Sequence, residues 1–146
     1  LCLEVWDRLE LMNAKKRISF NISEGNDKPF FVNADKDEIS KVLENLFSNS
    51  IKYGRENGTT TVSFYDMDSN ILTEITDDGE GVEETDISRL FERFYRAEKS
   101  RSREMGGTGL GLSIAKHIIE SHHQTMHIRS AIGVGTTFGF TLAKSK

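Results

Sequence analysis

Three short segments of this 146-residue chain carry residues that can do chemistry together. The first is Glu44-Asn45-Leu46-Phe47-Ser48-Asn49-Ser50-Ile51-Lys52-Tyr53. Asn45 and Asn49 lie four positions apart, so on a helix they share one face. Their amide oxygens are hard, neutral ligands suited to magnesium, an ion that usually fills its shell with water and substrate phosphates. Lys52 falls on the same side and can meet a phosphate, and Tyr53 can stack or hydrogen-bond beside it. The second segment is Asp77-Asp78-Gly79-Glu80-Gly81. A carboxylate at a strand end can accept a hydrogen bond from an exocyclic amine such as adenine N6, and the glycines let the backbone approach the ring. The third is Gly106-Gly107-Thr108-Gly109-Leu110-Gly111-Leu112, which leads into a helix. There, backbone N–H groups can crowd around phosphate oxygens while the helix N-terminus adds a favourable dipole. No Gly-Lys-Ser/Thr follows, so this is not a P-loop, and the glycine spacing is not that of a Rossmann turn. A metal ligand, a base-reading carboxylate and a phosphate cradle are the parts of an ATP site.

The elements that must position these residues follow from periodicity. Leu3, Trp6, Leu9, Leu11 and Met12 predict a helix over 3–15, with Lys15, Lys16 and Arg17 at its C-terminus, where cations suit the dipole. Alternation over 17–22 predicts a strand, Gly25 to Pro29 a turn, and Phe30-Phe31-Val32 a short strand. Asp35 and Asp37 can open the next helix, whose stripe is Ile39, Val42, Leu43, Leu46, Phe47 and Ile51, and Gly54 ends it. Strands are predicted over 59–65 and 70–76, and a mostly helical stretch over 83–95. That stretch ends in Leu90-Phe91-Glu92-Arg93-Phe94-Tyr95-Arg96. Phe91 and Phe94 read as core anchors, and Arg93 or Arg96 can meet a phosphate or a partner domain. Residues 97–106 are charged without an apolar period and predict a mobile segment. A helix over 108–122 and strands over 125–129 and 136–142, around Gly133-Val134-Gly135, complete the chain. The expected class is α+β: a mixed, mostly antiparallel sheet covered on one face by helices.

Bulk properties narrow the function. The formal net charge of −4 argues against nucleic acid as a partner. No apolar run approaches the length of a membrane helix, and no signal pattern opens the chain. The single Cys2 excludes an internal disulfide and a zinc knuckle, and fits a reducing compartment. His117, His122, His123 and His127 lack a recognised metal spacing. The sequons at Asn21 and Asn57 are read as chance matches. The apolar start Leu1-Cys2-Leu3, without an initiator Met, reads as a piece of a larger protein, and 1–146 as one domain of it.

In order and spacing the segments resemble the ATP-binding catalytic domain of bacterial sensor histidine kinases, over nearly the whole chain. Glu44–Tyr53 is similar to the asparagine box, Asp77–Gly81 to the first glycine box, Leu90–Arg96 to the phenylalanine box and Gly106–Leu112 to the second glycine box. Gly133 to Phe138 is similar to the closing hairpin. The resemblance implies the Bergerat-type sandwich shared with gyrase, MutL and the large heat-shock chaperone. It implies Asn49 as the leading magnesium ligand with Asn45 second, and Asp77 reading adenine. It also implies Lys52 and Tyr53 near the phosphates and ribose, and a lid at 97–106. Gly79, Gly81, Gly107, Thr108, Gly109, Leu110 and Gly111 are then the pocket, and Asn49, Lys52 and Arg96 the candidate catalytic residues.

Asn45 separates two enzyme readings. The ATPase relatives carry a glutamate there, whereas an amide cannot be a general base for water, which suits transfer to an imidazole. Glu44 points about 100° away around the helix. A Bergerat-type ATPase and a degenerate ATP-binding module are the alternatives. The phosphoacceptor histidine is expected on a separate dimerisation domain, because no histidine here has the acceptor's context. A response regulator, a homodimeric parent and a membrane anchor are further implications, with this domain cytoplasmic. Three departures from the family pattern stand out: Asp78 for the commoner Asn, His123-Gln124 for Gly-Gly, and a missing proline in the Ala143–Lys146 tail. If the turn at His123 requires positive φ, the departure stores strain of about 1 kcal/mol or more.

Overall fold

The computed structural model describes residues 1–23, 29–91 and 111–145. The elements in chain order are α1 (Cys2–Asp7), α2 (Glu10–Asn13), β1 (Ser19–Ile22), β2 (Val32–Asn33), α3 (Lys36–Tyr53), β3 (Thr59–Asp66), β4 (Asn70–Asp77), α4 (Glu84–Ile87), α5 (Gly111–Ser121), β5 (Met126–Ala131) and β6 (Gly135–Lys144). The strands form one six-stranded sheet in the order β1-β3-β4-β6-β2, with β5 also on β6. Among the described residues only β1 and β3 run parallel; the other pairs are antiparallel. The class is therefore the expected α+β, with helices on one face.

The register explains the two faces. Val62, Ile75 and Phe138 are aligned across β3, β4 and β6, as are Thr60, Asp77 and Thr136 one step along. Val62, Ile75, Phe138 and Phe140 are buried under α3 and α5, and the alternate positions Thr61, Thr76 and Arg129 face away. The α3 helix forms because Asp35 caps it, accepting the Glu38 N–H at 3.1 Å, and because its stripe reads one face. All six stripe residues are buried, with Phe47 at the centre of the core. Trp6 and Phe20 stack at 4.8 Å, and both meet Phe47 edge-on.

Several sequence expectations are corrected. The helix over 3–15 breaks at Leu9, which leaves helical geometry at φ −98°, ψ 11°. The break lets Val5 and Leu9 both enter the core, whereas Leu11 is 92% exposed. Packing thus overrides the apolar period that Leu11 and Met12 suggested. The strand expected over 30–32 is only Val32–Asn33, because it pairs with Lys144 and Ala143 at the very end of β6, so Phe30 and Phe31 lie beyond the strand they would need as a partner. The helix expected over 83–95 is confined to Glu84–Ile87 up to Phe91. Beyond it the chain turns so that Leu90 is buried and Phe91 meets Phe138 at 6.3 Å. The last helix is described from Gly111, and Ile114 on its stripe is exposed. The turn expected over 25–29, the end of the phenylalanine box and the lid over 97–106 lie largely or wholly outside the described residues.

Candidate nucleotide site

The Asp77 turn is the most constrained part of the site. Asp77 ends β4 on the helix-covered face and is 5% exposed. Its Oδ1 accepts the Gly79 N–H at 2.9 Å and the Thr136 N–H at 3.3 Å. Burial raises the carboxyl pKa; these two backbone donors and the charge of Lys16 oppose the rise, and Asp78 adds to it. Beneath it, Ser50 Oγ and Thr60 Oγ1 bond at 3.0 Å, tying α3 to β3. Asp78 points the other way, and both its oxygens accept the Thr59 N–H at 3.1 Å. The two neighbouring aspartates therefore divide the work: Asp77 is held inside the fold, and Asp78 pins the start of β3.

The glycines of this turn serve close approach. A Cβ on Gly79 would lie 2.2 Å from the Tyr53 carbonyl oxygen, so the turn abuts the end of α3 directly. Gly81 has φ +79°, and a Cβ there would lie 2.2 Å from the Ala131 carbonyl oxygen. Gly133 N–H donates to Glu80 O at 2.8 Å, Val82 N–H to Ser130 Oγ at 2.8 Å, and Arg55 to Gly133 O at 2.7 Å. The end of α3, the Asp77 turn and the β5–β6 turn are thereby locked into one frame.

Asn45 and Asn49 are half-buried on α3, and Lys52 and Tyr53 occupy its last turn. A Cβ on Gly111 would lie 3.3 Å from Asn45 Oδ1, so the N-terminal end of α5 packs against the asparagine face. The second glycine segment thus ends on Asn45, although the two are 66 positions apart (111 − 45). Lys116 of α5 sits 5.2 Å from the centre of the Phe91 ring.

The structure brings together Asn45, Asn49, Lys52, Tyr53, Asp77, Gly79, Gly81 and Gly111 around the α3 end, the Asp77 turn and the start of α5. Arg93, Arg96, Gly107, Thr108, Gly109 and Leu110 lie outside the described residues. Sequence reasoning missed Thr136 as a donor to Asp77, and Lys16, whose ammonium donates to the carbonyls of Lys52 and Gly54. The basic run containing Lys16 was visible, but it read as serving its own helix.

The profile of the family described as histidine kinase-, DNA gyrase B- and HSP90-like ATPases matches residues 34–146. The chain belongs to this family. Domains of these histidine kinase-like ATPases bind ATP. Among curated members the chain is 38% identical over 138 residues to sensor histidine kinase WalK of Bacillus subtilis strain 168. That match covers 93% of this chain and 22% of the relative. Sensor protein kinase WalK of Staphylococcus aureus is 37% identical over 119 residues, covering 79% and 28%. The chain thus spans about a quarter of the length of these relatives. Among solved structures, the mycobacterial sensor histidine kinase MprB matches with a TM-score of 0.81 at 29% identity, covering 97% of this chain and 95% of that one. The nucleotide-free catalytic domain of histidine kinase ThkA matches with a TM-score of 0.81 at 28% identity, covering 99% and 92%. Among the described residues no helix is long and apolar enough to cross a membrane.

Proposed function

We propose that residues 1–146 act as the catalytic domain of a sensor histidine kinase, which binds ATP with Mg2+ and passes the γ-phosphoryl group to a histidine on a separate dimerisation domain. The observation that carries the reading is the meeting of Gly111 with the Asn45 amide, 3.3 Å from where a Cβ would stand. An amide faces the end of the phosphate-cradle segment, and Asn45 can bind an ion or a phosphate but cannot deprotonate water. The reading therefore favours transfer over hydrolysis. Asp77 accepts from the adenine amine, and Lys52, Tyr53 and Arg96 meet the phosphates and ribose. Residues 107–111 cradle the triphosphate. The residues present fit a magnesium ion: two neutral amide oxygens lie on one half-buried helix face, and the helix N-terminus beside them suits the phosphates that would share the ion. Asn49 and Asn45 would hold it, and it would neutralise charge on the transferring group. In the transfer, the acceptor imidazole nitrogen bonds to the γ-phosphorus as the β–γ bridging P–O bond breaks and ADP leaves. The parent is proposed to be a membrane-anchored homodimer that hands the phosphoryl group to a response regulator.

The test supplies a histidine-bearing acceptor domain from a related kinase in trans, with labelled ATP. Asn49→Asp should slow transfer at least 100-fold, a loss of about 2.7 kcal/mol or more in transition-state stabilisation, and change ATP affinity less. Wild-type transfer rates in this variant would remove Asn49 from the reaction. ATP hydrolysis without any labelled histidine would replace the kinase reading by an ATPase one.

A further inference from the structure

Lys16 stands between α2 and β1, and the turn that presents it is specifically built. The Asn13 side chain bonds the Ile18 backbone in both directions, donating to its carbonyl at 2.8 Å and accepting its N–H at 2.9 Å. Arg17 takes the left-handed conformation at φ +53°. Asn57 N–H donates to Lys16 O at 2.7 Å. The half-buried ammonium then donates to the carbonyls of Lys52 and Gly54, the latter at 3.0 Å. A helix leaves its last carbonyls without partners, and a left-handed residue after the end often satisfies them. Gly54 does not do so: its φ is −73° and ψ 166°. Lys16 takes over part of that task from another part of the chain. Its surroundings are acidic, with Glu80, Asp77 and Glu56 all within range of its charge.

We infer that Lys16 is a positioning residue of the nucleotide site: it fixes the Lys52–Tyr53–Gly54 end of α3 against the Asp77 turn and supplies the counter-charge for Asp77. The inference rests on the nucleotide reading above and adds to it a residue that lies before the 34–146 stretch matched by the family profile. The groups around Asp77 are Lys16 on one side, Asp78 beside it, and the Gly79 and Thr136 amides. Lys16 is the cation among them, and it opposes the rise that burial imposes on the carboxyl. Without it Asp77 protonates more readily. A protonated carboxyl turns one acceptor into a donor, which cannot pair with the adenine amine.

The experiment is calorimetric titration of the whole chain with ATP from about pH 5 to pH 8, using wild type, Lys16→Met, Lys16→Gln and Lys16→Arg, with a thermal melt of each. Lys16→Met should weaken binding at neutral pH about tenfold and move the acid limb of the affinity profile to higher pH. Lys16→Arg should recover most of the affinity and return the limb. Lys16→Gln, which keeps donors without charge, serves where the Met variant fails to fold. A folded Met or Gln variant with wild-type affinity and an unmoved acid limb overturns the role of Lys16 and leaves the nucleotide site standing. A variant that only melts lower, with its acid limb in place, overturns it equally. A wild-type chain that does not bind ATP overturns the nucleotide reading and this inference with it.

Discussion

Asp77 shows at the residue scale how a buried group can be set against stability. Its carboxyl pKa is raised from the ordinary 3.8, chiefly by burial. The folded state therefore holds its proton to higher pH than the unfolded chain does. The stability this group contributes is complete below 3.8 and is lost as pH rises through the folded value. Asp77→Asn removes this titration, and the amide oxygen can still accept from Gly79 and Thr136. Across urea unfolding from about pH 4 to pH 7, wild type should lose stability relative to the variant as pH rises; a constant gap would show that the carboxyl is not strained by burial. The same variant should lose discrimination of ATP over GTP by about 2 kcal/mol, because a mismatched buried polar pair is costly. Asp77 was legible as a candidate because a carboxylate, two glycines and a strand end coincide. Lys16 was not, because dipole logic applied to a linear sequence assigns a cation to the helix that precedes it, and only the tertiary fold brings it to the end of α3.

At the scale of elements, α3 was readable almost to the residue. Its stripe repeats from Ile39 to Ile51 within an 18-residue helix, and both of its ends are marked, by Asp35 and Gly54. The N-terminal helix was not readable, because two short helices joined at a kink carry the same apolar letters as one straight helix. The turn after α5 meets the condition on which its expected strain depended. His123 has φ +60°, the left-handed region where a Cβ crowds the carbonyl oxygen. Its N–H donates to Glu120 O at 2.9 Å and that of Gln124 to Ile119 O at 3.1 Å, so the turn does close the helix. His123→Gly should therefore raise stability by about 1 kcal/mol, less the added freedom of the unfolded chain. Denaturant melts check this. ATP affinity should stay unchanged, since the turn is at the opposite end of α5 from Gly111. A loss of stability would mean that the His123 ring makes contacts worth more than the strain.

For the whole molecule, the class and sheet content followed from turn chemistry and alternation. The strand order and the site's closing contacts did not, because they join positions far apart in sequence. The family profile matches residues 34–146, but the core extends further. Trp6 and Phe20 both lie on Phe47, and β1 completes one edge of the sheet. A chain trimmed to 34–146 exposes the Phe47 ring and loses Lys16. Losses of this kind in a core are about 3–5 kcal/mol for one large aromatic, so the trimmed chain should melt well below the intact one by circular dichroism. Equal melting temperatures would show that the first 33 residues are a passive extension. The bond from Thr136 to Asp77 spans 59 residues and has a consequence for biogenesis. A growing chain on the ribosome cannot complete the hydrogen bonds that hold Asp77 until β6 has emerged, so the proposed nucleotide site must await the final strand of the sheet.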